Sequence, residues 1–327
     1  MRCARTEARE VEMRQRWDTI IIGAGPAGLM AAVYLARYRR STLVLHDGRS
    51  RAACIPLTHN APGWTKGISG KRLLAKMAAQ AAGFGACFHS AHVEQVQRAA
   101  SGFEVGAAGG ATWRSSTLIV ATGADMNSIP LDARDHETAL ANRVLGYCPI
   151  CDGFEHIDQR IAVIGCGEHA AKEALFLSRY SARVTLIKKT RFDLDPQLSE
   201  QLSDAGIEVL ETPIEDYLVY DREMALRMAN GSQLAFDVVY PALGLRPRSE
   251  LAAALGLALD EAGHVSADSP YVAHVPGLYA AGDVVAGLDQ ISVATGHGAI
   301  AATKAHNWMR EQELISKDFG ASDEGRG

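Results

Sequence analysis

The chain has 327 residues, with 33 Lys or Arg and 38 Asp or Glu, so its formal net charge is −5. Hydrophobic residues make up 47% and charged residues 22%, which is typical of globular domains and not of disordered, coiled-coil or collagen-like chains. The mild negative charge argues against nucleic acid or an anionic membrane as a partner, because both attract a basic surface. At roughly 150 residues per domain, the length predicts about two domains.

The first long apolar stretch, residues 19–36, has no charged residue and approaches the length of a transmembrane helix. Three glycines and a proline at residues 23–28 interrupt it, and they would break a spanning helix near its middle. The stretch is instead typical of a buried strand over 19–22 and a helix over 27–38. We therefore expect neither membrane insertion nor secretion, and a cytoplasmic location.

This strand, glycine loop and helix match the G-x-G-x-x-G fingerprint of dinucleotide-binding folds. Gly23 would make the turn, Gly25 would let the backbone approach a pyrophosphate, and Gly28 would let the helix pack on the strand. The N-terminus of the helix would direct N–H groups and a positive dipole end toward the phosphates.

The next strand, predicted over residues 42–45, should end in an acid that binds a ribose hydroxyl. By count that position is His46, and Asp47 follows it directly. The acid is either displaced by one residue or replaced, so this element is weaker than the glycines. A further buried strand over 118–123 ends in a turn of small residues.

Six cysteines are too few for a disulfide-stapled secreted scaffold, and only Cys148 and Cys151 are closely spaced. A C-x-x-C pair is typical of redox chemistry or of half a metal site. Zinc would need two more ligands at a compatible spacing, and the sequence has no second such pair, so we predict no metal. A purely structural disulfide would close a tiny loop and restrain almost nothing. The pair therefore favours thiol–disulfide exchange.

The strand–loop–helix–strand pattern recurs about 140 residues after its first copy. A strand over 160–164 precedes the loop at 165–170, a helix follows through Tyr180, and a strand over 183–187 ends in basic residues. One such loop is weak evidence, but two copies with the same architecture are strong evidence for nucleotide-binding folds. Near the C-terminus, a strand over 277–283 ends in Gly-Asp, where an acid can bind a ligand's hydroxyls.

Five motifs in this order resemble the low-molecular-weight thioredoxin reductases over residues 17–308: Gly-Ala-Gly-Pro-Ala-Gly, Ala-Thr-Gly, Cys-x-x-Cys-Asp-Gly, Gly-x-Gly-x-x-Ala and Ala-Gly-Asp. The resemblance implies an α/β fold of two nested, three-layer Rossmann-like domains. Residues 15–126 and 247–312 would form an FAD-binding domain. Residues 127–246 would be an inserted NAD(P)-binding-like domain that carries the cysteine pair, and 313–327 a flexible tail.

The resemblance also implies the cofactor site. Asp283 would bind the ribityl chain of FAD, and Asn60 belongs to a stretch that lines the isoalloxazine ring. His59 stands where the family usually has an acid, and an ordinary loop histidine is an equal alternative. Together, FAD would be held by Gly23, Gly25, Pro26, Ala27, Gly28, His46, Asp47, Asn60, Val93, Ala121, Thr122, Gly123, Gly282, Asp283, Gln290, Ile291 and Ser292.

For the redox pair, the resemblance implies that Cys151 faces the flavin and that Cys148 attacks the substrate disulfide. Asp152 would shuttle the proton. A hinged inserted domain would rotate the pair between the flavin and a protein substrate.

The electron donor stays open. NADPH-using relatives carry His-Arg-Arg after the second strand, whereas this chain has Lys188-Lys189-Thr190, and lysine lacks the planar fork of arginine. Residues 47–53 and the His59–Asn60 pair look similar to thioredoxin-reductase-like thiol oxidases, which need no nicotinamide. Other atypical relatives take electrons from ferredoxin. The intact second loop keeps NADPH possible, with candidate residues Gly165, Gly167, Glu168, His169, Ala170, Lys188 and Lys189.

The leading hypothesis is an FAD-dependent enzyme that passes electrons from NADPH or ferredoxin through Cys148 and Cys151 to a protein disulfide such as thioredoxin. The resemblance further implies a homodimer. Two alternatives remain: an NADPH-independent thiol oxidase that passes electrons from a dithiol to O₂, and a flavin redox sensor.

Overall fold

The computed structural model describes residues 16–266 and 275–323, with side chains through residue 313. Its strands are β1 Trp17–Ile22, β2 Thr42–His46, β3 Cys87–Ser90, β4 Val93–Ala99, β5 Gly102–Ala107, β6 Thr112–Val120, β7 Ala124–Met126, β8 Ile161–Gly165, β9 Val184–Lys188, β10 Glu208–Leu210, β11 Ile214–Val219, β12 Met224–Met228, β13 Gln233–Phe236, β14 Val238–Ala242, β15 Leu245–Pro247 and β16 Leu278–Ala280. Its α-helices are α1 Pro26–Arg37, α2 Gly70–Gly83, α3 Ala133–Ala141, α4 Pro149–Asp152, α5 Gly167–Leu177, α6 Pro196–Asp204, α7 Glu250–Ala254 and α8 Ile291–Asp323.

The chain divides into two compact units. Of the described residues, the first unit consists of those up to Ala53, Gly70–Asp125 and those from Arg246, and the second of Cys54–Ser69 and Met126–Leu245. The second unit is thus formed mainly by chain that lies between parts of the first. Strands β7 and β15, where the chain passes from one unit to the other, pair as a two-stranded sheet.

A seven-stranded sheet in the order β3-β2-β1-β6-β5-β4, with β16 also paired to β6, forms the centre of the first unit. Its strands β3, β2, β1, β6 and β16 run parallel, while β4 and β5 add an antiparallel extension. Parallel strands are covered on both faces, so their sequences are continuous apolar runs. Ile20 and Ile21 on β1 are accordingly both fully buried although they point to opposite faces.

Helix α8 packs against α1 through small residues in the first unit. A Cβ atom at Gly298 would lie 2.1 Å from the carbonyl oxygen of Ala27, so only glycine allows this approach. Ala31, Ala301 and Ala305 are fully buried in the same cluster. These small side chains hold the start of α1 at the end of β1.

The second unit contains a four-stranded parallel sheet in the order β10-β9-β8-β14 and a three-stranded antiparallel sheet, β11-β12-β13. Helices α5 and α6 pack on the parallel sheet through residues that include Leu177 and Leu202. A second cluster joins Ile164 and Val239 of the parallel sheet to Leu226 of the antiparallel one. The predicted α/β fold with two nested Rossmann-like units is confirmed.

Two features differ from what the sequence predicts. Residues 54–69 group with the second unit, although the resemblance assigns them to the FAD-binding domain. The backbone of α8 continues to Asp323, into the segment expected to be a flexible tail. Residues 310–319 contain no glycine or proline and several strong helix formers, which favours this continuation. Among the described residues, no helix is long and apolar enough to cross a membrane.

Candidate functional site

The first glycine loop has the geometry that the fingerprint requires. Gly23 has φ +112°, and a Cβ atom there would lie 2.2 Å from the carbonyl oxygen of Ala121. A Cβ atom at Gly28 would lie 2.0 Å from the carbonyl oxygen of Gly23. At Gly25, by contrast, the nearest atom would be Oγ of Ser50 at 3.5 Å. Gly23 and Gly28 are thus needed for packing, and Gly25 leaves an open approach to the backbone.

Helix α1 begins directly after this loop. Gly25 is its N-cap and Pro26 its first residue, so no side chain of the cap bonds the N–H groups of the first turn. No acid lies in that turn to neutralise the positive end of the dipole. The loop and the helix start therefore suit an anionic pyrophosphate.

The carboxyl ends of four parallel strands lie along one edge of the sheet. Ile22 pairs with Leu45 and Val120, and Ala280 pairs with Val120, which brings β1, β2, β6 and β16 into register. The residues that follow each strand meet at that edge, the usual ligand-binding edge of an open α/β sheet. They are Gly23, Asp47, Ala121, Thr122, Gly123, Gly282 and Asp283.

Asp283 is held by an arginine that sequence reasoning did not assign to the site. Nη2 of Arg51 lies 2.8 Å from its carboxylate and 3.3 Å from the carbonyl oxygen of Asp289. Burial raises the pKa of Asp289, and the charge of Asp283 acts in the same direction. The charge of Arg51 thus balances Asp283, close to Asp289, beyond the end of β16. Because Arg51 is far from both acids in the sequence, only the structure reveals this contact.

Asp47, one residue beyond the position expected for the ribose-binding acid, is firmly ionised. Burial alone would raise its pKa, but hydrogen bonds from Arg49 and His92 lower it to about 2. His46 ends β2 and is half-buried, and burial lowers its pKa. Asp47 is therefore a charged acceptor at the end of β2.

These residues fit FAD, since an open glycine, an uncapped helix start and the ionised Asp47 lie where a dinucleotide needs them. FAD, when bound, supplies two-electron redox chemistry.

The other residues predicted to bind FAD lie in several parts of the structure. Val93 begins β4, Gln290 directly precedes α8, and Ile291 and Ser292 open that helix. Asn60 lies in the second unit and accepts a hydrogen bond from Thr58.

The second glycine loop also has a dinucleotide-like shape. Gly165 ends β8, and a Cβ atom there would lie 2.5 Å from the carbonyl oxygen of Ala242 and 2.6 Å from Cβ of Ala170. Gly167 has φ +68° and begins α5. Unlike the first loop, this helix start carries an acid, Glu168.

Two ion pairs occupy the exposed face of α5. Glu168 lies 2.9 Å from Lys172, and His169 lies 3.1 Å from Glu173. The hydrogen bond with Glu173 raises the pKa of His169. The charges of Lys172 and His169 are thus balanced by acids on the same helix.

Lys188, at the end of β9, is committed to contacts inside the unit. Its side chain is only 9% exposed, and Nζ lies 2.7 Å from Oε1 of Glu211 and 3.0 Å from the carbonyl oxygen of Phe192. Because Lys188 is already balanced by a carboxylate, it is poorly suited to a 2′-phosphate, whereas Lys189 lies at the surface.

The redox pair is a disulfide in this structure. Cys148 and Cys151 are bonded, with their Cα atoms 5.2 Å apart, and Cys148 directly precedes the short helix α4. The backbone N–H of Cys151 donates to the carbonyl oxygen of Cys148 at 2.8 Å. Within the described part of the chain, no cluster of His, Cys, Asp and Glu could hold a metal ion.

Asp152, the last residue of α4, has a buried carboxyl group. Burial raises its pKa, the charge of Glu155 acts in the same direction, and a hydrogen bond from Tyr240 opposes the shift. Tyr240 lies on β14, only 1% exposed, and sequence reasoning missed it because one tyrosine in an apolar strand looks like ordinary core. A carboxyl group with a raised pKa next to a disulfide can hold and release a proton.

Two dinucleotide-type folds, one carrying a disulfide beside a protonatable carboxyl group, define a flavin-linked disulfide oxidoreductase. Comparison with known proteins agrees with this class. The pyridine nucleotide-disulphide oxidoreductase family matches residues 17–298, so the chain belongs to it. Within that family it is one of the low-molecular-weight thioredoxin reductases. It is an FAD-dependent disulfide reductase of that type.

Curated relatives match nearly the whole chain. The thioredoxin reductase of Listeria innocua is 30% identical over 307 residues, covering 90% of this chain and 94% of the relative. That of Streptomyces coelicolor is 33% identical over 308 residues, covering 89% and 94%.

Solved structures show the same likeness. The thioredoxin reductase of Streptococcus pyogenes superposes with a TM-score of 0.83 at 26% identity, covering 91% of this chain and 99% of that one. A protein named HlmI superposes with a TM-score of 0.85 at 28% identity, covering 94% and 96%.

Proposed function

We propose that this enzyme passes electrons between FAD and a protein disulfide of the thioredoxin type through Cys148 and Cys151. The proposal is carried by the Cys148–Cys151 disulfide together with Asp152, which directly follows it in the chain and whose pKa is raised by burial. Residues 15–126 and 247–312 would bind FAD, and 127–246 would carry the redox pair. The FAD residues would be those along the carboxyl edge of the large sheet, together with Asn60, Val93 and the start of α8.

The exchange would proceed in two substitutions at sulfur. The Cys148 thiolate attacks one sulfur of the substrate disulfide, whose S–S bond breaks, and the departing thiolate takes a proton. The Cys151 thiolate then attacks the sulfur of Cys148 in the mixed disulfide, which re-forms the Cys148–Cys151 bond and releases the second substrate thiolate. Asp152 accepts the proton of the Cys151 thiol during this second step.

Exposed apolar side chains beside the disulfide support a protein as the partner. Ile150 is 54% exposed, Phe154 71% and Ile157 48%. Large apolar side chains grouped on a surface are typical of protein contacts, and these lie within seven residues of Cys151 in the sequence. The relatives named above are thioredoxin reductases, which supports a thioredoxin-type substrate.

The donor is proposed to be a reductant other than NADPH, such as ferredoxin. The Lys188–Glu211 pair supports this choice, because it leaves Lys188 without a free charge for a 2′-phosphate. Anaerobic mixing of the FAD-loaded protein with reduced ferredoxin should bleach the flavin within seconds, and subsequent addition of oxidised thioredoxin should restore it. Equally fast bleaching by NADPH would contradict the choice of donor.

The same observations favour one alternative, a thiol oxidase that moves electrons from a dithiol to O₂. Peroxide formation at the expense of a dithiol in air, without reduction of thioredoxin by any donor, would establish it. Slow, single-turnover flavin reduction with both donors would instead point to a redox sensor.

We also propose that the protein is a homodimer and lies in the cytoplasm. Both are supported by the family resemblance. Light scattering of the purified protein at micromolar concentration would decide between a monomer and a dimer.

A further inference from the structure

Glu155 is a second carboxyl group near the redox disulfide, and the exchange chemistry above does not use it. It lies in the 3₁₀ turn Gly153–His156, directly after α4. Its Oε1 lies 2.5 Å from Nδ1 of His59, whereas its Oε2 is buried and has no hydrogen-bond partner among the described residues. A buried, unsatisfied oxygen is costly and requires an explanation, such as a bound water or a catalytic role.

Glu155 lines a small cavity of about 20 Å³. A single water needs about 10–15 Å³, so the cavity has room for one. Asp152 and Glu155 both line it, together with His59, His156 and Arg143, and apolar side chains complete the wall. One water there has enough polar neighbours to bridge the two carboxyl groups.

The charged groups around this cavity come from several elements. Arg143 precedes the redox pair on an exposed loop, and Nδ1 of the buried His156 lies 2.6 Å from Oε1 of Gln159. Tyr240 on β14 donates to Asp152. Burial raises the pKa of Asp152 and the charge of Glu155 raises it too, while Tyr240 and His156 act in the opposite direction. The two carboxyl groups are therefore electrostatically coupled.

We propose that Glu155 and His59 form a proton route that connects Asp152 to solvent, with one water in the cavity between the carboxyl groups. This inference rests on the proposed roles of Asp152 and the cysteine pair. The side chain of Glu155 is 23% exposed and that of His59 39%, so exposure increases along the route. An imidazole suits the last position, because its two ring nitrogens can accept a proton on one side and donate one on the other.

The route has a defined task when a dithiol reduces the Cys148–Cys151 disulfide. Dithiothreitol attacks Cys148 through one thiolate, the S–S bond breaks, and the Cys151 thiolate takes a proton from Asp152. The second thiolate of dithiothreitol then closes its own disulfide and releases Cys148 as a thiolate. Asp152 regains its proton through the cavity water from Glu155, Glu155 from His59, and His59 from solvent.

The experiment measures how fast dithiothreitol reduces the disulfide of the FAD-loaded protein, by acid quenching, alkylation and mass analysis, between pH 5.5 and 8.5. Glu155→Gln keeps the shape but cannot carry a proton, so we expect the rate at pH 7 to fall about tenfold. Imidazole added as a small proton carrier should restore the rate in proportion to its concentration. His59→Gln should show a smaller loss and the same rescue.

Glu104→Gln is the matched control, because Glu104 on β5 also pairs with a cation, Arg114, but lies in the first unit. Its rate and pH profile should equal those of the wild type. A folded Glu155→Gln protein with the wild-type profile, or with a loss that imidazole does not restore, would overturn the proton route. Failure of the wild-type disulfide to react with dithiothreitol would instead contradict the proposed function itself.

Discussion

The phenol of Tyr240 donates a 2.7 Å hydrogen bond to Oδ1 of Asp152, the residue directly after Cys151. Tyr240 is buried and Asp152 is half-buried, and the bond joins strand β14 to helix α4. It stabilises the ionised form of Asp152 against the effect of burial, so the tyrosine sets how readily this carboxyl group gives up its proton.

Tyr240→Phe should therefore raise the pKa of Asp152 further. Burial would remain as the dominant cause, and the opposing hydrogen bond would be lost. The limb of the pH–rate profile for disulfide exchange that Asp152 controls should move to higher pH. Stability should fall by about 0.5–1.5 kcal/mol, the usual net contribution of one hydrogen bond. Tyr217→Phe, at a half-buried tyrosine of the same unit, should leave the profile unchanged, and an unchanged profile in Tyr240→Phe would contradict this role.

Asp152→Asn should stabilise the fold at neutral pH while it slows exchange. A carboxyl group whose folded pKa is raised favours the fold below its ordinary pKa of 3.8 and loses that contribution as pH rises through the folded value. The asparagine has no ionised form to desolvate, so its advantage over wild type in urea unfolding should appear above that pH and vanish at lower pH.

Asp237→Asn is the control, because it should change the free energy of unfolding in the opposite direction. The hydrogen bond from Arg160 lowers the pKa of Asp237, so its contribution is present above its ordinary pKa and lost as pH falls. This variant should be less stable than wild type at neutral pH. If both variants changed the free energy of unfolding in the same direction at neutral pH, the predicted destabilising effect of ionised Asp152 would be wrong.

Cys151→Ser should leave FAD bound and abolish reduction of the protein disulfide. The remaining Cys148 can form a mixed disulfide with thioredoxin but has no second thiol to resolve it. Flavin absorbance of the purified variant would check binding, and mass analysis should detect the trapped mixed disulfide. Multiple turnovers by this variant would rule out the proposed exchange.

Lys188→Met should not change the ratio of flavin reduction rates with NADPH and NADH. The side chain is buried against Phe192 and paired with Glu211, so it has no charge available for a 2′-phosphate. Lys189→Met, at the exposed neighbour, is the matched variant. A drop of about tenfold in the ratio for Lys188→Met, equal to about 1.4 kcal/mol of lost phosphate binding, would contradict this interpretation.

The parts of the site that depend on local spacing could be predicted from the sequence. The glycines of both loops and the C-x-x-C pair are recognised from motifs only a few residues long. The order of strands and helices follows from the apolar runs that separate these motifs. Tyr240, Glu155 and Glu211 could not be found in this way. Each acts through a partner 23 to 96 residues away, and such pairs are brought together only by the fold.

The two glycines of the first loop should respond differently to alanine. Gly25 has φ −78°, which alanine adopts readily, and an added Cβ would meet only Oγ of Ser50 at 3.5 Å. Gly25→Ala should therefore fold as an apoprotein but bind FAD about tenfold more weakly, because the methyl group occupies the approach to the pyrophosphate. At Gly28 the added Cβ would lie 2.0 Å from the carbonyl oxygen of Gly23, so Gly28→Ala should lower the melting temperature of the apoprotein itself. Titration of each apoprotein with FAD, followed by flavin fluorescence and by thermal melting, separates the two effects. Equal losses of apoprotein stability in both variants would show that the open face of Gly25 is not where the cofactor approaches.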